Sequence, residues 1–371
     1  MTRTAIYEQT LTHFLGPIAP LLADPRVTEI MVVGPDQIWI ERAGQVEPVD
    51  CQFPGNSWLK ALVQNIAEFA GRPLDDRHPS LDARLPDGSR VHVMLPPASR
   101  RGICVTIRRF SHQAFTLREL AGTGMLTAEA ADFLRLAVEF HRNILLAGGT
   151  GTGKTTLLNS LAGTIPQNER IIVIEDTSEL ALPQPHVVYL EAQPPDADGE
   201  GGLSIRDLFV SSLRMRPDRI LIGEVRRGEA LDLVQSMISG HTGSLATVHA
   251  STPQDAASRV ETLCLSHDAA LPLYVARQQV GSALHLIVQI ERFRDGTRRI
   301  TAITECLGID QDQQYVWNDL FRFQVDPHAT PDQVRGTLRW TGSRPTFAEA
   351  MRERGYAGQA REGRRLFETV S

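Results

Sequence analysis

The stretch that leaves the fewest folds open is Gly148 to Thr155, GGTGTGKT, which satisfies the spacing G-x-x-x-x-G-K-[ST] between the apolar run NILLA at 143–147 and the helical TTLLNSLAG. A strand, a glycine-rich turn and a helix in that order make a polyphosphate cradle. Backbone N–H groups converge on the anion at the positive end of the helix, and glycine keeps side chains out of the way. Gly148, Gly149, Thr150, Gly151, Thr152 and Gly153 form the expected loop. Lys154 is expected to span the β- and γ-phosphates as a point charge, and Thr155 to offer its hydroxyl to magnesium, so ATP and Mg²⁺ are the expected cofactors. Only two of the 38 basic residues are lysine, Lys60 and Lys154. A planar guanidinium replaces a compact ammonium poorly in a tight loop, so the lysine kept at 154 strengthens the assignment; Lys60 reads as a solvated helix residue.

Around the loop, short apolar runs alternate with helical stretches: NILLA, then RIIVIE at 170–175, RILIGE at 219–224 and SLATVHA at 244–250. That rhythm predicts an α/β domain with a mostly parallel sheet. In such sheets the ligand lies past the carboxyl ends of the strands, and chemistry-bearing residues stand there: Glu175 and Asp176, then Glu224, then His249. Glu224 is the first choice to orient or deprotonate an attacking water, with Glu175 as the alternative. Asp176 is expected to hold magnesium through water, and His249 to sense the γ-phosphate, with His241 read as its companion at the same ligand edge. The segment LHLIVQIERFRDGTRRITAITECLGI reads as a hairpin turning at Asp295-Gly296, and the last forty residues are polar and arginine-rich.

The preceding unit has another rhythm. VTEIMVVGPDQIWIER alternates about a Gly-Pro-Asp-Gln turn as a hairpin does; Leu59, Leu62, Val63, Ile66 and Phe69 recur at helical spacing up to Gly71; and residues 82–109 read as further sheet. Periodicity lapses from Phe110 to Thr116. The expected division is therefore a smaller α+β domain at 1–112, a linker at 113–118 and the nucleotide domain at 119–371. A net charge of −6 and 6% aromatic residues argue against a strand-tracking nucleic-acid motor, so no direct nucleic-acid partner is expected. Cys51, Cys104, Cys264 and Cys306 lie far apart, which suits neither a zinc site nor a disulfide framework, and no 18-residue apolar run occurs. A cytoplasmic chain is expected.

In VTEIMVVGPDQIWIER, DARLPDGSRV, IRRF, GGTGTGKTTLLN, VIEDTSEL, QPHVVYLE, LRMRPDRILIGEVR, GHTGSLATVHA and LIVQIERFRDGTRRIT, the chain resembles the secretion ATPases of type II and type IV systems, and among them the CpaF/TadA type that assembles Flp pili. The runner-up is a type IV secretion or conjugation ATPase. The resemblance implies a homohexameric motor with a sensor-like (PAS-like) N-terminal domain and a RecA-like P-loop NTPase domain, held at the inner membrane by platform proteins. Carried onto matching positions, it makes Gly148 to Thr156 the Walker A loop, Glu175 and Asp176 the Asp box, Glu224 the Walker B glutamate, and His241 and His249 the His box. It also implies that Arg90 and Arg108 reach nucleotide when the domains close, and leaves Arg214 and Arg226 as candidates for action across a subunit interface. Departures fall at Tyr189, Gln193 and Val210, where related chains carry basic residues, and at Arg227.

Overall fold

The computed structural model describes residues 3–42, 44–109, 115–193, 195, 200–266, 271–330, 332–360 and 363–367. It divides into two compact units, 1–112 and 113–371. Part of the linker span lies outside the described residues, and helix α4 (Leu117–Gly122) already begins within it because Thr116 and Glu119 form a reciprocal capping box.

The first unit holds helices α1 (Arg3–Leu15), α2 (Ala19–Ala23) and α3 (Asn56–Ala70) with strands β1 (Val27–Val33), β2 (Gln37–Arg42), β3 (Gln45–Pro48), β4 (Ser80–Arg84), β5 (Arg90–Met94) and β6 (Cys104–Arg108). The strands form one antiparallel sheet in the order β3-β2-β1-β6-β5-β4. The β1–β2 turn pivots on Gly34, whose positive φ suits glycine. Helix α3 buries Leu59, Leu62, Val63 and Ile66 and ends at a left-handed Gly71, as its periodicity requires.

The second unit continues with α5 (Ala128–Glu139), β7 (Ile144–Gly148), α6 (Lys154–Ala162), β8 (Ile171–Glu175), β9 (Val187–Glu191), α7 (Ile205–Ser212), β10 (Arg219–Ile222), α8 (Glu229–Ile238), β11 (Leu245–Val248), α9 (Pro253–Leu265), α10 (Leu273–Ala283), β12 (Leu286–Arg292), β13 (Arg298–Ile309), β14 (Tyr315–Val325), β15 (Gly336–Trp340) and α11 (Ala348–Glu353). One sheet runs β15-β14-β13-β12-β7-β11-β10-β8-β9, parallel from β12 to β9 and antiparallel from β12 to β15. The four expected strands are buried along their whole length, as strands covered by helices on both faces must be. The expected hairpin forms, and β12 also pairs in parallel with β7, placing it beside the phosphate loop. The polar C-terminal stretch is not peripheral. Phe347, Met351, Leu366 and Phe367 are buried in the core cluster, with Phe347 and Phe367 stacked on Phe133. No helix among the described residues is long and apolar enough to cross a membrane, and all four cysteines are free thiols.

Candidate nucleotide site

Strand β7 leads into the loop and α6 leaves it. Gly151 and Gly153 have φ of +69° and +96°, conformations that L side chains rarely adopt. At Gly148 the constraint is space, since a Cβ there would meet the Ile290 carbonyl oxygen of β12 at 2.5 Å and Thr152 Oγ1 at 2.7 Å. Thr152 is 5% exposed and its hydroxyl donates to the Gly149 carbonyl at 3.0 Å, bracing the turn from within. The amino end of α6 has no side-chain cap, in contrast to Thr127 on α5 and Ser204 on α7. Lys154 is buried, and its Nζ donates to the Gly148 and Gly149 carbonyls at 2.9 and 2.8 Å. Thr155 and Thr156 are partly buried in the first turn, Thr150 exposed at the loop's crest.

Past β10, Glu224 is held at both carboxylate oxygens: Arg226 Nη2 donates to Oε2 at 2.9 Å, and His249 Nε2 lies 3.1 Å from Oε1. Arg226 also donates from Nη1 to Asp176 at 2.9 Å, tying the ends of β8 and β10 together. Burial pushes the Glu224 carboxyl up, but the Arg226 hydrogen bond and the charges of Arg226, His249 and Lys154 outweigh it and hold the group below the usual carboxylate range. Burial, then the Lys154 charge, push His249 below its ordinary value. The turn that carries Arg226 is fixed by Glu229, whose Oε1 accepts from the N–H groups of Arg226 and Arg227 at 2.7 and 2.9 Å. Glu229 went unmarked in the sequence because it reads as one more charge in a helix's first turn.

Glu175 sits differently. It is 3% exposed, and it accepts from the backbone N–H groups of Glu179 at 2.9 Å and Leu180 at 3.1 Å. Burial raises its pKa to about 7 against the lowering effect of those amides. Gly223 makes room for it: a Cβ there would lie 3.0 Å from Glu175 Cγ.

His241 is a correction. It precedes β11, where Asn143 at the start of β7 accepts from the N–H groups of Gly243 and Ser244, whereas His249 follows β11. In a parallel sheet those are opposite edges, so within the chain His241 is not brought to the phosphate loop and does not share the ligand edge with His249. Arg214 is exposed. Tyr189 and Val210 are also exposed, each at 44%.

In the first unit, Arg90 of β5 pairs in register with Arg108 of β6, and Arg84 of β4 pairs with Arg90. Arg108 in turn faces Glu29 of β1. Register partners share a sheet face, so three arginines form one row that continues into Glu29 and Glu41. Arg109 is structural: its Nη1 donates to the Val27 carbonyl at 3.1 Å and to that of Asp24. Two further arginines escaped sequence reasoning, Arg292 and Arg298. Arg298 Nε donates to the Gly151 carbonyl at 2.8 Å, and Arg292 Nη1 would lie 3.3 Å from a Cβ at Gly151.

Over residues 12–318 the chain matches the type II/IV secretion system protein family. It is 36% identical over 309 residues to the type IV secretion system protein PtlH of Bordetella pertussis, spanning 77% of this chain and 91% of that one. With the type IV secretion system protein VirB11 of Bartonella quintana the identity is 33% over 325 residues, 78% of this chain and 91% of the other. Its fold is similar to that of the Legionella pneumophila ATPase DotB, with a TM-score of 0.55 at 17% identity over 77% of this chain and 79% of that one.

Proposed function

The chain belongs to the type II/IV secretion system protein family, and from that premise we propose that it is an ATP-hydrolysing motor of a type IV secretion or conjugation machine. The observation that carries the reading is the meeting, at one sheet edge, of a phosphate loop with a carboxylate held ionised by its neighbours: Lys154 bears electrostatically on both Glu224 and His249. PtlH and VirB11 are type IV secretion proteins, which favours this machine over the Flp pilus.

The loop fits a polyphosphate, with left-handed glycines, an uncapped helix end and a buried ammonium. Among the described residues no group of three or more His, Cys, Asp or Glu side chains is arranged to hold a metal ion, which suits magnesium carried in on the phosphates with Thr155 and, through water, Asp176. Bound MgATP supplies the phosphoanhydride bond whose hydrolysis drives the motor. Lys154 would exchange its two carbonyl acceptors for phosphate oxygens. Glu224, ionised at neutral pH, is suited to orient and deprotonate a water, provided that His249 or Arg226 releases one of its oxygens. The cationic row Arg84, Arg90 and Arg108 is suited to add charge when the two units close on nucleotide. We propose that it assembles as a homohexameric ring docked at the inner membrane by platform proteins, as the resemblance to secretion ATPases implies.

The test is steady-state phosphate release by the purified full-length chain with MgATP, with and without the membrane partners of the machine. Turnover stimulated by type IV secretion components supports the reading. Stimulation only by pilus-platform proteins returns the chain to the pilus class, and absence of ATP turnover in every case refutes the motor.

A further inference from the structure

We infer that Arg298, on the β12–β13 hairpin, is a positioning residue of the phosphate loop, acting on nucleotide through the Gly151 peptide; the inference rests on the nucleotide reading above. Arg298 Nε donates to the Gly151 carbonyl at 2.8 Å. In a planar trans peptide the carbonyl of Gly151 and the N–H of Thr152 point in opposite directions. A donor that fixes the direction of the carbonyl therefore fixes the direction of the Thr152 N–H, one of the loop's backbone donors. Because the donor is a guanidinium, it also polarises that peptide and adds positive potential where an anion would sit.

Arg298 is well supported for such a role. The hairpin tip is held where Val334 N–H donates to Asp295 at 2.7 Å and Thr297 Oγ1 donates to Asp295 at 2.7 Å. Just past Arg298, β13 is held where Ile300 N–H donates to the Met125 carbonyl at 2.8 Å and Arg299 donates to the Gly124 carbonyl. Strand β12 is registered against β7, with Ile290 opposite Gly148, so the hairpin cannot slide relative to the loop without breaking sheet hydrogen bonds. Gly151 itself has a φ of +69°, a conformation that glycine enters and leaves at low cost, so its carbonyl gains from an external anchor. The Arg298 Cδ lies 3.4 Å from where a Cβ on Gly153 would be, so the same side chain flanks the second left-handed glycine.

Binding of the fluorescent nucleotide mant-ADP with magnesium to the full chain tests this, alongside melting temperature without nucleotide. Arg298→Ala is expected to weaken binding roughly tenfold, the worth of one charged hydrogen bond, and to leave the nucleotide-free melting temperature unchanged. Arg298→Lys, which keeps a cationic donor, is expected to regain most of the affinity. Binding by Arg298→Ala within twofold of wild type overturns the inference. So does weakened binding that comes with an equal fall in nucleotide-free melting temperature in both variants, which would make Arg298 a fold brace. If the unsubstituted chain binds no mant-ADP, the nucleotide reading fails and takes this inference with it.

Discussion

At single residues, charge and burial sort the site's acids into two kinds. Glu224 is kept ionised by Arg226 and His249, so Glu224→Gln removes a base and leaves the phosphate loop intact. Turnover is expected to fall by roughly 10² or more while MgATP binding persists, as single-turnover kinetics would show. Glu175 ionises near its ordinary 4.5 in the unfolded chain but only at about 7 in the fold. Between those values the folded chain keeps a proton that the unfolded chain has lost, so stability falls as pH rises through that window, on the order of 3 kcal/mol in all. Glutamine keeps an acceptor for the Glu179 and Leu180 amides without the charge. The gain in melting temperature of Glu175→Gln over wild type is therefore larger at pH 8 than at pH 5, and equal gains at both would contradict the raised pKa. Lys154→Ala should abolish nucleotide binding in a titration, and Lys154→Arg should not restore it, because the buried ammonium fits between two carbonyls where a planar guanidinium does not.

Whole elements behave according to the neighbours that they find. The four expected parallel strands were legible because an apolar run of four or five residues between helical stretches is what a twice-covered strand looks like. Strand β9 was not, since no helical stretch separates its VVYLE from β8 and the strand lies partly exposed at the sheet's edge. The C-terminal segment was legible only as polar, because its few apolar residues are widely spaced and pack against Phe133 and Phe140 at α5, more than 200 residues away in sequence. Phe347 is 6% exposed, stacks on Phe133 and Phe140, and carries the Arg142 guanidinium 4.7 Å above its ring. Phe347→Ala is expected to cost about 3–5 kcal/mol, read as a lower melting temperature without nucleotide. A change under 1 kcal/mol would show that the segment is only loosely docked.

For the molecule as a whole, the two units raise the question of where a complete site is assembled. Arg84, Arg90 and Arg108 belong to the first unit and the phosphate loop to the second, so under the proposed motor a fragment from Phe115 onward keeps nucleotide affinity and loses most turnover. Starting at Phe115 retains the Thr116–Glu119 capping box, so the fragment's first helix is preserved. Arg108→Ala in the full chain should resemble the fragment, and specific activity should rise with protein concentration as a ring forms. A fragment that hydrolyses ATP as fast as the whole chain at every concentration excludes gating by the first unit.

Local chemistry settled much of this protein before any fold was known. The phosphate loop, the strands that flank it and the acids at their ends follow from residue type and spacing within a few positions, since a glycine with left-handed φ, a helix cap or a twice-buried strand needs no distant partner to be specified. Tertiary packing decided the rest. Glu175 and Glu224 look alike in the chain, and only their surroundings make one share its proton near neutrality and keep the other ionised. His241 and His249 lie eight residues apart, and only the direction of β11 sends them to opposite edges. Arg298 is one arginine among 36, and it becomes the phosphate loop's neighbour because β12 pairs with β7 across more than a hundred residues of chain.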